Sequence, residues 1–397
     1  MPDLFWPGDH RAGDVMSDAA FLDAMVSVET AWLTVLVDAG IAPASARAEL
    51  TVSVADRDAI ATTAERDGNP VTALVALLRS RAGDDPACWL HRGLTSQDVI
   101  DTALMLCLRT ALTAVRSALT AQVRTLMTLA ETYRDTPMLT RTLAQPALPG
   151  TVGFKVAHWL TAVLDAADVI DALPALAVQC GGAAGSMAAA TELAGTPEAA
   201  VHLSAALASA LGLAPAAPWH TTRAPLTRTA DALVACCDAW GHIANDVALG
   251  CRAEIGEFTE GAGGASSTMP HKNNPVLSVL LRRNALTAPH LSAALHSASA
   301  AGVDERADGG WHAEWATLRT LARHTVIAAS QATDLLAGLR VNGSRAAANL
   351  AAAQGIFAEQ QVMRELAGRT SHDGYLGAAG HLIDSALRRA HEYQEAR

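Results

Sequence analysis

The sequence predicts an all-α protein built round a bundle of long helices. Half of the 397 residues are hydrophobic but only 4% are aromatic, and Ala, Leu and Val carry the apolar load, which suits close-packed helices. Leu104, Leu108, Leu112, Val115, Leu119, Val123 and Leu126 recur at steps of four and three, the 3.5-residue period of a bundle helix. No comparable run alternates polar and apolar residues with β-branched enrichment, so strands are expected to be minor.

Taken in order, residues 17–39 read as a helix with Ser17 or Asp18 as cap and Gly40 as terminator. Residues 44–80 read as shorter helices broken at Gly68-Asn69-Pro70. Thr95 with Asp98 forms a capping box that opens the long helix, which ends near Thr136-Pro137. Further helical stretches are expected at 151–172, 186–211, 226–256, 276–300 and 311–338. These divide into an N-terminal helical domain (1–94), a central long-helix bundle (95–340) and a short C-terminal helical domain (341–397).

The net charge of −11 without a basic cluster argues against nucleic acid as a partner. The six cysteines show no CxxC spacing and read as small buried residues of a reducing compartment, with no metal expected. The N-terminus lacks a basic region leading into an apolar core, and the long uncharged stretch near 172–191 is broken by Pro174 and glycines. A cytoplasmic protein with no membrane association is expected.

Lysine is nearly absent: of 29 basic residues only Lys155 and Lys272 are lysine. A compact ammonium is not interchangeable with a guanidinium fork, so both positions draw notice, with an ion pair the plain alternative for Lys155. Lys272 lies in a loop, 259–274, with Gly261, Gly263 and Gly264 expected to give mobility. Ser266 and Ser267 add two hydroxyls, and Pro275 suits the first position of the next helix with Asn274 as its cap. Serine acts as a base only where a positive, donor-rich surround stabilises its alkoxide, and a helix N-terminus beside a lysine is such a surround.

The string Ser266-Ser-Thr-Met-Pro-His-Lys-Asn-Asn-Pro275 resembles the SSxMPxKxNP signature of the fumarase/aspartase superfamily. His91-Arg-Gly-Leu-Thr-Ser-Gln-Asp-Val-Ile-Asp-Thr102 and Thr140-Arg-Thr-Leu-Ala-Gln-Pro-Ala-Leu-Pro149 resemble its first and second conserved regions, in the right order. Within the superfamily the chain is most similar to the 3-carboxy-cis,cis-muconate cycloisomerases, through 181–185, Trp219-His-Thr-Thr-Arg223 and 305–315. The resemblance implies a fumarase/aspartase-like fold completed by tetramerisation, with each active site drawn from three subunits of a homotetramer. It implies Ser266 as base and Lys272 as stabiliser of an aci-carboxylate carbanion. It implies substrate contacts from His91, Thr95, Ser96, Arg141, Thr142, Gln145, Ser267, Met269, Asn274 and Arg306, a small polycarboxylate as substrate, and neither metal nor organic cofactor. His220 is a further candidate for substrate contact, and both it and Arg306 also have structural readings, as a core histidine and an ion pair.

The implied reaction is closure of 3-carboxy-cis,cis-muconate to 4-carboxymuconolactone in protocatechuate breakdown. Superfamily members that expel an amine or hydroxide often carry His directly after the Arg-Thr pair, where this chain has Leu143. A carboxylate leaves without a proton, and so does nitrite. Leu143 therefore fits a cycloisomerase and also a lyase acting on nitrosuccinate, and argues against an adenylosuccinate lyase. Ala265, Asn273, Thr140 and Ala224-Pro225 depart from the cycloisomerase pattern, Asn273 by replacing an Arg. A non-catalytic structural protein on the same scaffold is the alternative from another class.

Overall fold

A computed structural model describes residues 3–261, 263–265, 267–269, 272–368 and 374–397. The N-terminal part contains α1 (Asp18–Asp38), α2 (Val54–Asp67), α3 (Val71–Arg81) and α4 (Asp84–Trp89). The Ser17 hydroxyl caps α1 by accepting from the Ala20 N–H at 3.1 Å, and Gly40 follows in the left-handed region at φ 70°. By length and composition α1 alone among the described helices could cross a membrane, but its Val28, Trp32 and Leu36 are fully buried.

Then follow α5 (Ser96–Thr132), β1 (Pro137–Thr142), β2 (Gln145–Thr151) and α6 (Val152–Asp171). At 37 residues α5 is about 55 Å long by the helical rise. All seven residues of its predicted repeat, Leu104 to Leu126, are buried. The sequence carries no signal for the β1–β2 hairpin, because its strands are short and Pro146 and Pro149 break any alternation. Thr140 fastens it: its hydroxyl donates to Leu148 O at 2.6 Å and accepts from Leu148 N at 3.0 Å.

The stretch expected as one helix over 186–211 is two, α7 (Ala188–Ala194) and α8 (Pro197–Leu211). Gly195 ends the first at φ 83°, and Thr196 caps the second with Pro197 at its first position. The remaining elements are α9 (Ala224–Gly250), β3 (Phe258–Thr259), α10 (Val276–Ala300), α11 (Gly309–Gly338), β4 (Arg340–Val341), α12 (Gly343–Ala352), α13 (Ala358–Ala367) and α14 (Ala379–Glu395). Helices α5, α6, α9, α10 and α11 pack into one bundle, with α1 against α5 and α14 against α6.

Polar anchors inside the bundle fix its register. Near one end Arg223, Asp101 and Glu314 form a buried cluster, with Arg223 2.7 Å from Asp101 and 2.6 Å from Glu314. Trp311 donates to the same Asp101 at 3.0 Å. Midway, Gln122 donates to Ala329 O at 3.0 Å and accepts from Trp240 at 2.8 Å. Both sets of contacts pair early residues of α5 with early residues of α11 and later with later, so these two helices run parallel.

Candidate active site

The first conserved block is built on the N-terminus of α5. Thr95 is its cap residue, and the Asp98 carboxylate accepts from Thr95 N at 3.0 Å. Asp98 is fully buried and accepts three more N–H groups: Gly181 N at 2.8 Å, Gly182 N at 2.9 Å and Gln179 Nε2 at 3.1 Å. The glycine-rich segment 181–185 is thereby strapped to the start of α5. Burial pushes the Asp98 carboxyl up to about 6, outweighing the four donors that favour its anion.

Arg306, from the loop between α10 and α11, donates to the Thr95 hydroxyl. It has no carboxylate partner among the described residues, and its Nε is buried without a hydrogen bond. Among the described residues, then, a guanidinium without a carboxylate partner sits at a helix N-terminus, where the backbone already favours an anion. The ion-pair reading of Arg306 is not what this geometry shows. His91 takes the left-handed conformation, φ 62°, and its Nδ1 lies 2.6 Å from the buried carboxylate of Glu29. Ser96 is the first residue of α5.

His220 completes this end. It is 5% exposed, and its Nδ1 lies 3.0 Å from Gln179 Nε2. Burial first, and then the nearby Arg306 guanidinium, hold its imidazole below the ordinary histidine range. A Cβ at Gly181 would lie 2.8 Å from the ring, and one at Gly185 would collide with it. Gly185 also stands at φ 80°, so both space and backbone require glycine there.

The second block lies on the hairpin. Arg141 was expected to be a free carboxylate donor, but its guanidinium is held by the buried Glu257 through two bonds of 3.0 and 2.9 Å. Gln145 and Thr142 pair across the hairpin end, and Leu143 and Ala144 form its tip, both at positive φ. Leu143 is 99% exposed. The plain reading of Lys155 holds: it pairs with Asp246 at 3.3 Å, beside a cavity of about 290 Å³ that Arg141 and Glu257 also line.

In the third block, Ser266 lies outside the described residues. Ser267, Met269 and Lys272 are exposed, and Lys272 N donates to Met269 O at 3.0 Å in a turn. Asn274 was expected to cap the next helix. Instead Gly264 and Asn274 exchange backbone hydrogen bonds of 2.8 and 2.9 Å, and α10 begins one residue after Pro275. The cap is Glu260, whose carboxylate accepts from Leu277 N at 3.0 Å and Ser278 N at 2.7 Å. A carboxylate directly after a short strand and more than fifteen residues before the helix it caps leaves no local signal. The glycines here serve close approach: a Cβ on Gly261 would lie 2.7 Å from Gly338 O, and one on Gly263 would overlap the Asn273 side chain.

The first block does not meet the signature loop within one chain. Arg306 and Thr95 stand where α11 begins, whereas Gly261 of the signature loop touches Gly338 at its end. The 30 residues of α11 separate them by about 45 Å. Arg141, through Glu257, lies at the same end as the signature loop.

A profile of the Lyase family matches residues 19–288. A nitrosuccinate lyase of Streptomyces davaonensis is 42% identical over 92% of this chain and 81% of its own. A 3-carboxy-cis,cis-muconate cycloisomerase of Pseudomonas aeruginosa is 39% identical over 95% of this chain and 83% of its own. The crystal structure of the 3-carboxy-cis,cis-muconate lactonizing enzyme of Pseudomonas putida superposes with a TM-score of 0.79 at 33% identity, covering 96% of this chain and 86% of that one. With its all-α bundle, its three sequence blocks and this similarity over nearly its whole length, the chain belongs to the Lyase family of enzymes, within the fumarase/aspartase superfamily.

Proposed function

We propose that the protein is a β-elimination lyase acting on a succinate carrying a weakly basic leaving group, with nitrosuccinate as the substrate. Leu143 carries the reading. The position after the Arg-Thr pair bears an exposed apolar side chain where relatives that expel amines or hydroxide often place a histidine, so the leaving group must depart as a stable anion. The 42% identity to a nitrosuccinate lyase favours nitrite as that anion.

In the proposed reaction the Ser266 oxygen takes the proton from the carbon next to one carboxylate. Lys272 and backbone N–H groups stabilise the resulting aci-carboxylate, and the carbon–nitrogen bond breaks to give nitrite and a butenedioate. Thr95 N-terminal to α5, with Arg306, would hold the other carboxylate. Because the first and third blocks lie at opposite ends of α11, the reading places Ser266–Asn274 of one copy against Thr95/Ser96 of a second. Arg141–Gln145 would come from a third, within a homotetramer.

The cycloisomerase reading stands second, favoured by the similarity to cycloisomerases at 39% identity and by the same Leu143, since lactone opening also expels a carboxylate. Purified protein given nitrosuccinate should release nitrite with saturation kinetics, and Ser266→Ala should abolish release while leaving assembly intact. Rapid loss of diene absorbance with 3-carboxy-cis,cis-muconate, and no nitrite release, would transfer the enzyme to the second reading.

A further inference from the structure

Three hydrogen bonds determine where His220 carries its proton. The Trp219 backbone N–H can only donate, and it lies 2.6 Å from Gln179 Oε1. That fixes the Gln179 amide with its oxygen towards Trp219 and its nitrogen towards Asp98 Oδ1, 3.1 Å away, and His220 Nδ1, 3.0 Å away. The two N–H bonds of Gln179 are then both used as donors. His220 Nδ1 must accept, so the proton of the neutral imidazole is on Nε2. Protonating Nδ1 would set two N–H groups against each other.

This rigid donor is placed with care. The residue is 5% exposed, a Cβ at Gly181 or Gly185 would crowd its ring, and Gln97 holds its backbone carbonyl at 3.1 Å. Its Nε2 meets no acceptor among the described residues. The network that aims it, through Gln179 and Asp98, is the one that shapes the Thr95 end of α5, where the guanidinium of Arg306 also stands, without a carboxylate partner among the described residues.

We infer that His220 is a further substrate-binding residue, a neutral Nε2–H donor to a carboxylate oxygen of the substrate held between Thr95 and Arg306. The inference rests on the functional reading above for the nature of the substrate, and on the Gln179 geometry for the donor. Arg306 supplies the charge, and His220 adds direction without a second cation to desolvate.

Two variants separate binding from packing. His220→Asn places an amide oxygen near the Nδ1 position, keeping an acceptor for Gln179 while withdrawing the donor. His220→Gln extends an amide nitrogen to the Nε2 position and keeps the donor. Each is compared with wild type for KM and kcat in nitrite release, for affinity towards succinate, an unreactive dicarboxylate, and for thermal midpoint.

His220→Asn should raise KM and weaken succinate binding by roughly tenfold to a hundredfold, the range for one lost hydrogen bond to a charged group. Its kcat should change less, and His220→Gln should recover most of the loss. Unchanged KM and succinate affinity in His220→Asn would overturn the inference. So would equal losses in both variants accompanied by a lowered thermal midpoint, which would assign the ring to packing. A wild type that binds succinate but turns over neither nitrosuccinate nor 3-carboxy-cis,cis-muconate would overturn the functional reading, leaving the succinate comparison to judge His220. A wild type that binds no succinate would overturn both.

Discussion

Asp98 takes four N–H groups at a fully buried position, and it joins the capping box of α5 to the glycine segment at 181–182. Its carboxyl, raised by burial from 3.8 to about 6, binds a proton more tightly in the folded chain than in the unfolded one. Its contribution to stability is therefore fully present below about pH 4 and is lost as pH rises through about 6. Asp98→Asn lacks that titration and turns an amide N–H₂ towards groups that are themselves donors, so it should be destabilised at neutral pH by about 2–5 kcal/mol. The gap in thermal midpoint between wild type and Asp98→Asn should widen as pH falls from 7 to 5; a constant gap would contradict the raised carboxyl. Thr95 with Asp98 was legible as a cap, because a capping box is a four-residue pattern. The Gly181 and Gly182 donors were not, because they lie more than eighty residues away. Lys155 and Arg141 show the same limit: residue type marked them, but only folding revealed that Asp246 and Glu257 occupy them.

Glu260 replaces Asn274 as the cap of α10, and the reason is competition. Asn274 spends its backbone groups and its side-chain Nδ2–H on Gly264, so the helix start takes its acceptor from outside. Glu260 is 6% exposed and serves two N–H groups that have no other partner in the helix. Glu260→Ala should cost about 1–3 kcal/mol, seen as a lowered thermal midpoint. Because α10 anchors the loop bearing Lys272, kcat should fall as well; a variant stable and active as wild type would show that the cap is dispensable. The long helices were readable from periodicity, since a buried stripe such as Leu104 to Leu126, about six turns, leaves a repeated signal. The β1–β2 hairpin was not, since its strands are six and seven residues long and its turn, Leu143-Ala144, has no glycine although both residues stand at positive φ.

Across the whole molecule, α10 leaves Val276, Val279 and Leu286 exposed, Leu286 at 73%, at spacings of three and seven that make one stripe. A long bundle helix with an uncovered apolar stripe, together with sequence blocks about 45 Å apart, supports the proposed sharing of sites between copies. Two inactive variants, Ser266→Ala and Arg306→Ala, dissociated together and reassembled should regain activity. Random mixing leaves about a quarter of the sites with both residues intact if these come from different copies. No recovery in mixed assemblies would place both residues in one copy's site. The sequence by itself determined the helical class, the long central helix and the superfamily, and it named candidate site residues, because these are written in local periods and contiguous motifs. Only the tertiary structure decided which cations are paired, what caps α10, how Gln179 orients His220, and that one chain keeps its first block away from its signature loop. Each of these depends on groups distant in sequence, and the pairing energies that select them exist only once the helices have packed.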